Sequence, residues 1–322
     1  MNSNLNNKKI KILTDFKSKL KMFDLEKNQL SSLKKQFKNI DFEFINLRKL
    51  KRIYDCQVYW GTRINDEVLS RCCNLKWIHF GSVGVDKINL SKIDKKIIIS
   101  NSKSINTLAV FNLVMFFLLD TTKKILINKR LKNRIDYEKM FLESKDLSQQ
   151  KICILGYGNI AKKINQYLVF HKTDINFFTS RNLKIKNTIN IEDLIRNLNQ
   201  YDTIINLLQY NENNKNFLNQ KLFKKMKRNV NLILVGRIST VNILDLFIFL
   251  KLNKKATCYI DALPNKDNNF FLEKLRILKN VFITPHIGGY YRNYWPDQIS
   301  LFKHNLTLFL NGKKIKNQIM QK

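Results

Sequence analysis

The hexapeptide Gly156-Tyr157-Gly158-Asn159-Ile160-Ala161 constrains this chain more than any other segment. It follows the apolar run Lys151 to Leu155 and opens a stretch of helical spacing that runs to about Phe170. A GxGxxG/A turn between a strand and a helix is the signature of a phosphate-binding βα unit. Gly156 permits the tight turn and Gly158 lets the backbone approach a pyrophosphate. Asn159 and Ile160 place helix N–H groups toward the anion, where the positive end of the helix dipole assists them. Ala161 is small enough for close helix–strand packing. The chain has only 9 glycines in 322 residues, so each one is informative.

Short apolar runs alternate with helical patterns on both sides of this turn. Strands are expected at Ile10 to Leu13, Phe42 to Ile45, Val58 to Trp60, Leu75 to Phe80 and Ile97 to Ile99, with helices at Leu25 to Phe37 and Asp66 to Cys72. A long apolar helix is expected from Asn106 to about Arg130. The alternation restarts near Lys151, with strands at Ile152 to Leu155, Ile175 to Phe178, Asp202 to Leu207, Leu232 to Val235, Cys258 to Ile260 and Val281 to Ile283. An amphipathic helix follows from Asp297 to Leu310. The pattern is that of an α/β protein with two doubly wound parallel-sheet domains. The length suits two domains better than one.

Lys and Arg number 58 against 25 Asp and Glu, for a net charge of +33. The basic residues are scattered, with no tail or arginine block. A solvated lysine-rich surface is therefore expected, with no specific nucleic-acid partner. Such a charge still draws anionic cofactors and acids toward the protein. Cys56, Cys72, Cys73, Cys153 and Cys258 make no CxxC pair and no zinc spacing, which points to a reducing cytoplasm and no metal. The first residues lack the apolar core of a signal peptide, and Leu108 to Leu119 is too short to span a bilayer.

A carboxylate normally ends the second strand of an NAD site, where it binds the ribose 2′-OH. Here Thr179-Ser180-Arg181 follows Phe178, and Asp174 stands at the opposite end of the strand. Thr179 and Ser180 can donate hydrogen bonds and Arg181 can pair with a 2′-phosphate. NADP(H) is the expected cofactor, with NAD(H) possible.

Several segments together resemble the D-isomer-specific 2-hydroxyacid dehydrogenases. Asn74-Leu75-Lys76-Trp77-Ile78 with Gly81-Ser82-Val83-Gly84-Val85-Asp86 resembles the family's substrate loop. Ser100-Asn101 with Ile105-Asn106-Thr107 resembles the start of its interdomain helix. Val235-Gly236-Arg237, Asp261 and Thr284-Pro285-His286-Ile287-Gly288-Gly289 resemble its "NVxRG", "LDVF" and "TPHxxG" segments, in the family's order. The resemblance implies a Rossmann NAD(P)-binding domain, residues 104–287, inserted into a flavodoxin-like catalytic domain of residues 1–103 and 288–322. It also implies a homodimer.

By the same resemblance the reaction is hydride transfer between NAD(P)H and a small 2-oxo acid, glyoxylate or hydroxypyruvate among them. His286 is the expected acid/base, since an imidazole titrates near neutrality. Arg237 is the expected substrate clamp, Val83 and Gly84 hold the substrate carboxylate through N–H groups, and Asp261 belongs to the cofactor site. His79, His171 and His304 read as surface or capping residues. Two positions depart from the family. Ile238 replaces the glycine after the arginine, where it would crowd the cleft. The family's glutamate slot falls on Lys266 or Asp267, depending on the direction of counting, and Asp267 is the expected partner of His286. If Lys266 occupies the slot, the alternative is a catalytically weak or inactive NAD(P)-binding regulatory protein.

If the charge is compositional, DNA binding will be weak, blind to sequence and steeply salt-dependent. Fluorescence anisotropy should show affinity collapsing between about 50 and about 200 mM salt. A tight complex with one defined sequence at physiological salt would contradict this.

Overall fold

The computed structural model describes residues 9–16, 24–46, 50, 52–85, 88–126, 138, 141–142, 144–181, 183, 185–261 and 269–320. The chain divides into two compact units, Met1–Asn106 with Tyr291–Lys322, and Thr107–Tyr290.

The first unit contains a five-stranded parallel sheet. Its strands are β1 (Ile10–Thr14), β2 (Ile40–Phe44), β4 (Val58–Gly61), β6 (Trp77–Phe80) and β7 (Ile98–Asn101), in the order β2-β1-β4-β6-β7. A short pair, β3 (Tyr54–Asp55) and β5 (Cys72–Cys73), forms separately. Alternate strand residues supply two cores. Ile10, Ile12, Val58, Trp60 and Trp77 join Leu33 of α1 (Ser31–Gln36) on one side. Leu13, Tyr59, Ile78, Phe80 and Ile99 join Val68 of α2 (Asp66–Arg71) on the other. A strand's period of two makes this division automatic once both faces are covered. The last helix (Tyr294–Leu310) adds Trp295, Ile299, Phe302, Leu306 and Phe309 to the first core. Phe302 stacks on Trp60 with ring centroids 3.9 Å apart. This helix begins three residues before the Asp297 expected from the apolar spacing.

The second unit is built on a seven-stranded parallel sheet. Its strands are β8 (Lys151–Leu155), β9 (Asp174–Phe178), β10 (Thr188–Ile189), β11 (Thr203–Asn206), β12 (Asn231–Leu234), β13 (Thr257–Ile260) and β14 (Val281–Ile283). The order is β10-β9-β8-β11-β12-β13-β14, so the direction of strand addition reverses between β8 and β11. Ile152, Ile154, Ile205, Ile233 and Tyr259 face α3 (Thr107–Lys123) and α4 (Asn159–Phe170). Cys153, Leu155, Ile204, Leu232, Leu234 and Ile260 face the opposite core. Helices α5 (Ile191–Asn197), α7 (Ile243–Leu252) and α8 (Asn269–Arg276) contribute to that core, as do Leu222 and Phe223 of a shorter helix. A short α6 (Gln220–Phe223) precedes α7, and the last helix of the first unit is α9. Each large apolar side chain so buried contributes about 1.5–3 kcal/mol.

Two expectations are corrected here. The long helix ends at Lys123 and not near Arg130. Asp120 stops it. Its backbone oxygen accepts the Lys124 N–H, Lys124 turns left-handed (φ 53°), and its carboxylate accepts Leu126 N–H at 3.0 Å and Tyr259 Oη–H at 2.7 Å. A left-handed residue closes a helix whatever apolar residues follow. His79, read as a surface residue, is fully buried in the sheet of the first unit. It pairs across β6 and β7 with Ser100, whose hydroxyl lies 2.7 Å from Nδ1.

Burial pushes the His79 pKa down to about 3 and the Asp15 pKa up to about 6. For His79, the unfolded chain takes up the proton first as pH falls, so stability drops from about pH 6.5 downward. For Asp15, the folded chain holds the proton longer, so stability drops as pH rises from about 4 to about 6. The two slopes oppose, each about 1.4 kcal/mol per pH unit. Urea unfolding between pH 4 and 6 should separate them. Relative to the parent, His79→Gln should lose stability as pH rises and Asp15→Asn should gain it. Variants that run parallel to the parent would refute both burial effects.

Candidate functional site

In an open parallel sheet, loops at the carboxyl ends of the strands gather ligands, above all where strand order reverses. In the second unit every described residue of the expected cofactor and catalytic set lies on that edge. Gly156 and Gly158 follow β8, Thr179 to Arg181 follow β9, Arg237 follows β12, Asp261 follows β13 and His286 follows β14.

The turn after β8 is built for close approach. Gly156 has φ +103°, a conformation that L side chains rarely adopt. Its N–H donates to Phe178 O at 2.8 Å, which ties the turn to the end of β9. Gly158 caps α4 without a side-chain hydrogen bond, and a methyl group added there would meet no atom within 4 Å. Open space in front of the α4 N-terminus at Gly158 fits a pyrophosphate. Arg181, exposed at the end of β9, donates from Nη2 to Tyr157 O at 2.5 Å, so its guanidinium lies over the same turn. Its own N–H donates to Thr179 Oγ1 at 3.2 Å. Ser180 is exposed beside it.

Arg237 is half-buried, and its turn is held by residues that the sequence reading missed. Arg237 N–H donates to Leu208 O at 3.1 Å and Arg237 O accepts from Thr240 Oγ1 at 2.7 Å. Asn206, buried at the end of β11, donates to Thr240 Oγ1 at 2.8 Å and accepts from Leu208 N–H at 3.1 Å. Gly236 is required here, since a Cβ would meet Leu208 O at 2.7 Å. The available signal was a lone asparagine closing an otherwise apolar strand. Ile238 does not crowd this edge. It is buried in the core, 4% exposed, together with Val241 and Ile243.

His286 is half-buried with φ 59°, a left-handed conformation uncommon outside glycine. Asp261 holds it there. The Asp261 carboxylate is buried and accepts from Thr284 Oγ1 at 2.5 Å, Ile287 N–H at 2.8 Å and Gly288 N–H at 2.8 Å. A Cβ on Gly288 would stand 2.6 Å from Asp261 Oδ2, so only glycine admits the carboxylate. Asp261 thus clamps the loop that carries His286. Asp267 and Lys266 lie outside the described residues. In the first unit, Val83 and Gly84 lie in a half-buried loop after β6, where Val83 O accepts from Asn101 Nδ2 at 2.6 Å.

Comparison with known proteins meets this geometry. The D-isomer specific 2-hydroxyacid dehydrogenase NAD-binding domain matches residues 115–288, and the catalytic domain of the same family matches residues 4–166. This chain belongs to the D-isomer-specific 2-hydroxyacid dehydrogenases. Membership brings an NAD-binding domain and redox chemistry on 2-hydroxy and 2-oxo acids. Glyoxylate reductase of Pyrococcus horikoshii is 24% identical over 283 residues, covering 84% of this chain and 83% of the reductase. D-3-phosphoglycerate dehydrogenase of Haemophilus influenzae is 25% identical over 254 residues, covering 77% of this chain and only 59% of that relative's length. The D-lactate dehydrogenase of Aquifex aeolicus, solved with NAD and lactic acid, shares the fold at TM-score 0.74 and 18% identity over 97% of this chain and 99% of its own. The NADPH-dependent glyoxylate/hydroxypyruvate reductase of Sinorhizobium meliloti, solved with NADP and malonate, does so at TM-score 0.76 and 17% identity over 97% of each chain. Among the described residues, no group of histidines, cysteines and carboxylates could hold a metal, and no helix is long and apolar enough to cross a membrane.

If Asp261 clamps the His286 loop, Asp261→Ala should destabilise the Thr107–Tyr290 unit by about 3 kcal/mol, because a buried N–H, a part-buried N–H and a buried hydroxyl lose a charged acceptor. Urea denaturation measures this, and a loss below about 1 kcal/mol would contradict the clamp.

Proposed function

We propose that this dehydrogenase reduces a small 2-oxo acid of the glyoxylate or hydroxypyruvate class to a D-2-hydroxy acid with NADPH. His286 is the proton donor and Arg237 the substrate clamp. The observation that carries the reading is the Asp261-held turn. A buried carboxylate and an obligatory glycine maintain a histidine in a left-handed backbone conformation at the ligand-binding edge of the sheet. Such local strain persists where the surrounding structure enforces it, and it clusters at functional sites.

The unit Thr107–Tyr290 is the cofactor domain in this reading, and Met1–Asn106 with Tyr291–Lys322 carries the substrate loop. When bound, the nicotinamide supplies the hydride. The protein's part is to place and charge the acid. Arg237 offers a fixed positive charge to the acid's carboxylate and carbonyl oxygens, with a planar fork suited to both. As the carbonyl carbon gains the hydride, its oxygen becomes an alkoxide, and the His286 imidazolium gives it a proton. Val83 and Gly84 N–H groups receive the carboxylate. Gly156, Gly158, Asn159 and Ile160 receive the pyrophosphate, while Thr179, Ser180 and Arg181 receive the ribose 2′-phosphate. Asp261 serves the site through the His286 loop. The proposed pairing of Asp267 with His286 would favour the imidazolium.

A homodimer through the cofactor domain is part of the proposal. Leu108, Phe116 and Leu119 expose one apolar face of α3, which supports it. A reducing cytoplasm is the proposed location, supported by free thiols inside the cores at Cys56, Cys153 and Cys258.

Steady-state NADPH and NADH oxidation over a panel of 2-oxo acids tests the reading. NADPH should be preferred. Arg181→Ala should raise the NADPH KM by about tenfold or more, the cost of losing a charge-assisted hydrogen bond, and leave NADH unchanged. His286→Gln should lower kcat by roughly 10²–10⁴. Equal use of both cofactors would overturn the NADPH assignment. No turnover of any 2-oxo acid would overturn the reductase and leave a regulatory protein of the same fold.

A further inference from the structure

The loop after β6 has an unusual hydrogen-bond balance. Four consecutive carbonyls each accept from the protein. Gly81 O accepts from Gln298 Nε2 at 2.6 Å, and Ser82 O from Ser102 N–H at 3.3 Å. Val83 O accepts from Asn101 Nδ2 at 2.6 Å, and Gly84 O from Ser82 Oγ at 2.9 Å. In a trans peptide the carbonyl and the next N–H point in opposite directions. The N–H groups of Ser82, Val83, Gly84 and Val85 therefore turn away from these donors, and none of them finds an acceptor among the described residues. Successive free N–H groups form a concavity for an anion.

Gln298 links this loop to the interior of the unit. It comes from α9, 217 residues along the chain from Gly81, and is 1% exposed. The Gly81 carbonyl can only accept, which fixes the Gln298 amide nitrogen on that side. The Gln298 oxygen then faces Ser102 Oγ at 2.7 Å, and Ser102 Oγ lies 3.4 Å from His79 Nε2. On the far side of the ring, Ser100 Oγ is 2.7 Å from Nδ1 and accepts from Trp77 Nε1–H at 2.9 Å. The Gln298 oxygen can only accept, so Ser102 gives its one hydrogen there, and the neutral ring meets Ser102 as a donor from Nε2 and Ser100 as an acceptor at Nδ1. Trp77 donates to Ser100, Ser100 to His79 Nδ1, His79 Nε2–H to Ser102, Ser102 to Gln298, and Gln298 to Gly81 O. Ser102 Oγ also lies 3.0 Å from Phe80 O, the farther of its two acceptors. Burial keeps His79 neutral, and the neutral ring both accepts and donates, as this order requires.

We propose that Gln298 is a positioning residue for the substrate carboxylate, with Ser102 and His79 fixing Gln298 so that the Val83 and Gly84 amides face the anion. This inference rests on the reading of Val83 and Gly84 as the carboxylate-binding amides. It assigns residues from β6, the segment after β7, and α9 to one task. None of them touches the substrate.

The test compares the full-length parent with Gln298→Leu, Ser102→Ala, His79→Gln and His79→Leu. Each is assayed for glyoxylate reduction with NADPH, for oxalate binding by calorimetry, and for amide hydrogen exchange of the 81–85 segment. Gln298→Leu should raise the glyoxylate KM about tenfold, weaken oxalate equally and speed exchange of the segment. Its kcat and NADPH KM should hold near the parent values. Ser102→Ala should move the same quantities in the same direction by less. His79→Gln, which can accept and donate in the same order, should stay near the parent, while His79→Leu should follow Gln298→Leu. Parental KM, oxalate affinity and exchange in Gln298→Leu would overturn the proposal. So would a fall in kcat together with a rise in the NADPH KM, which general loss of structure produces. If the parent reduces no 2-oxo acid, the reductase reading fails separately, and oxalate binding with exchange still decides the positioning role.

Discussion

One buried carboxylate organises the ligand-binding edge of the larger sheet. Asp261 stands at the end of β13 and takes three hydrogen bonds from the turn that ends β14. Those bonds hold His286 at a positive φ that costs roughly 1–2 kcal/mol for an L residue. A carboxylate with several charge-assisted bonds offsets that cost with room to spare. The arrangement depends on Gly288, because any side chain there would displace the carboxylate. The position of the histidine therefore follows from sheet register. Ile260 pairs with Leu234 on one side and Ile283 on the other, which places Arg237, Asp261 and His286 after neighbouring strands on one edge.

In the proposed reading the two units meet anions with different chemistry. The second unit offers an uncapped helix terminus at Gly158 and cations at Arg181 and Arg237. The first offers backbone amides, made available by spending every carbonyl of residues 81–84 on internal donors. Backbone amides carry no long side chain to order, so their geometry is as rigid as the loop. The net charge of +33 acts over longer distances and favours anionic ligands in general.

The fold class was legible because parallel sheets demand apolar strands alternating with helices, and the GxGxxA turn marked where one sheet began. Strand edges fell within a residue or two, since a strand's burial follows its own composition. What escaped the sequence depends on partners far along the chain. α3 stops at Lys123 because Asp120 meets Tyr259, 139 residues away. His79 is interior because Ser100 and Ser102 satisfy its nitrogens. The clamping contacts of Asp261 span 23 to 27 residues and leave no local pattern. The departure at Ile238 proved structural, since its side chain joins the core beside Val241. Asn206 and Gln298 carried no signal beyond being polar residues in apolar surroundings.

The stereochemistry of the product tests the account most directly. Hydroxypyruvate and NADPH would be incubated with the enzyme and the glycerate resolved by chiral chromatography. A D-2-hydroxyacid dehydrogenase that presents the carboxylate to one fixed set of amides, the carbonyl to Arg237 and His286, and one face to the cofactor must yield D-glycerate alone. L-glycerate, a racemic product, or no glycerate while the cofactor remains bound would contradict it.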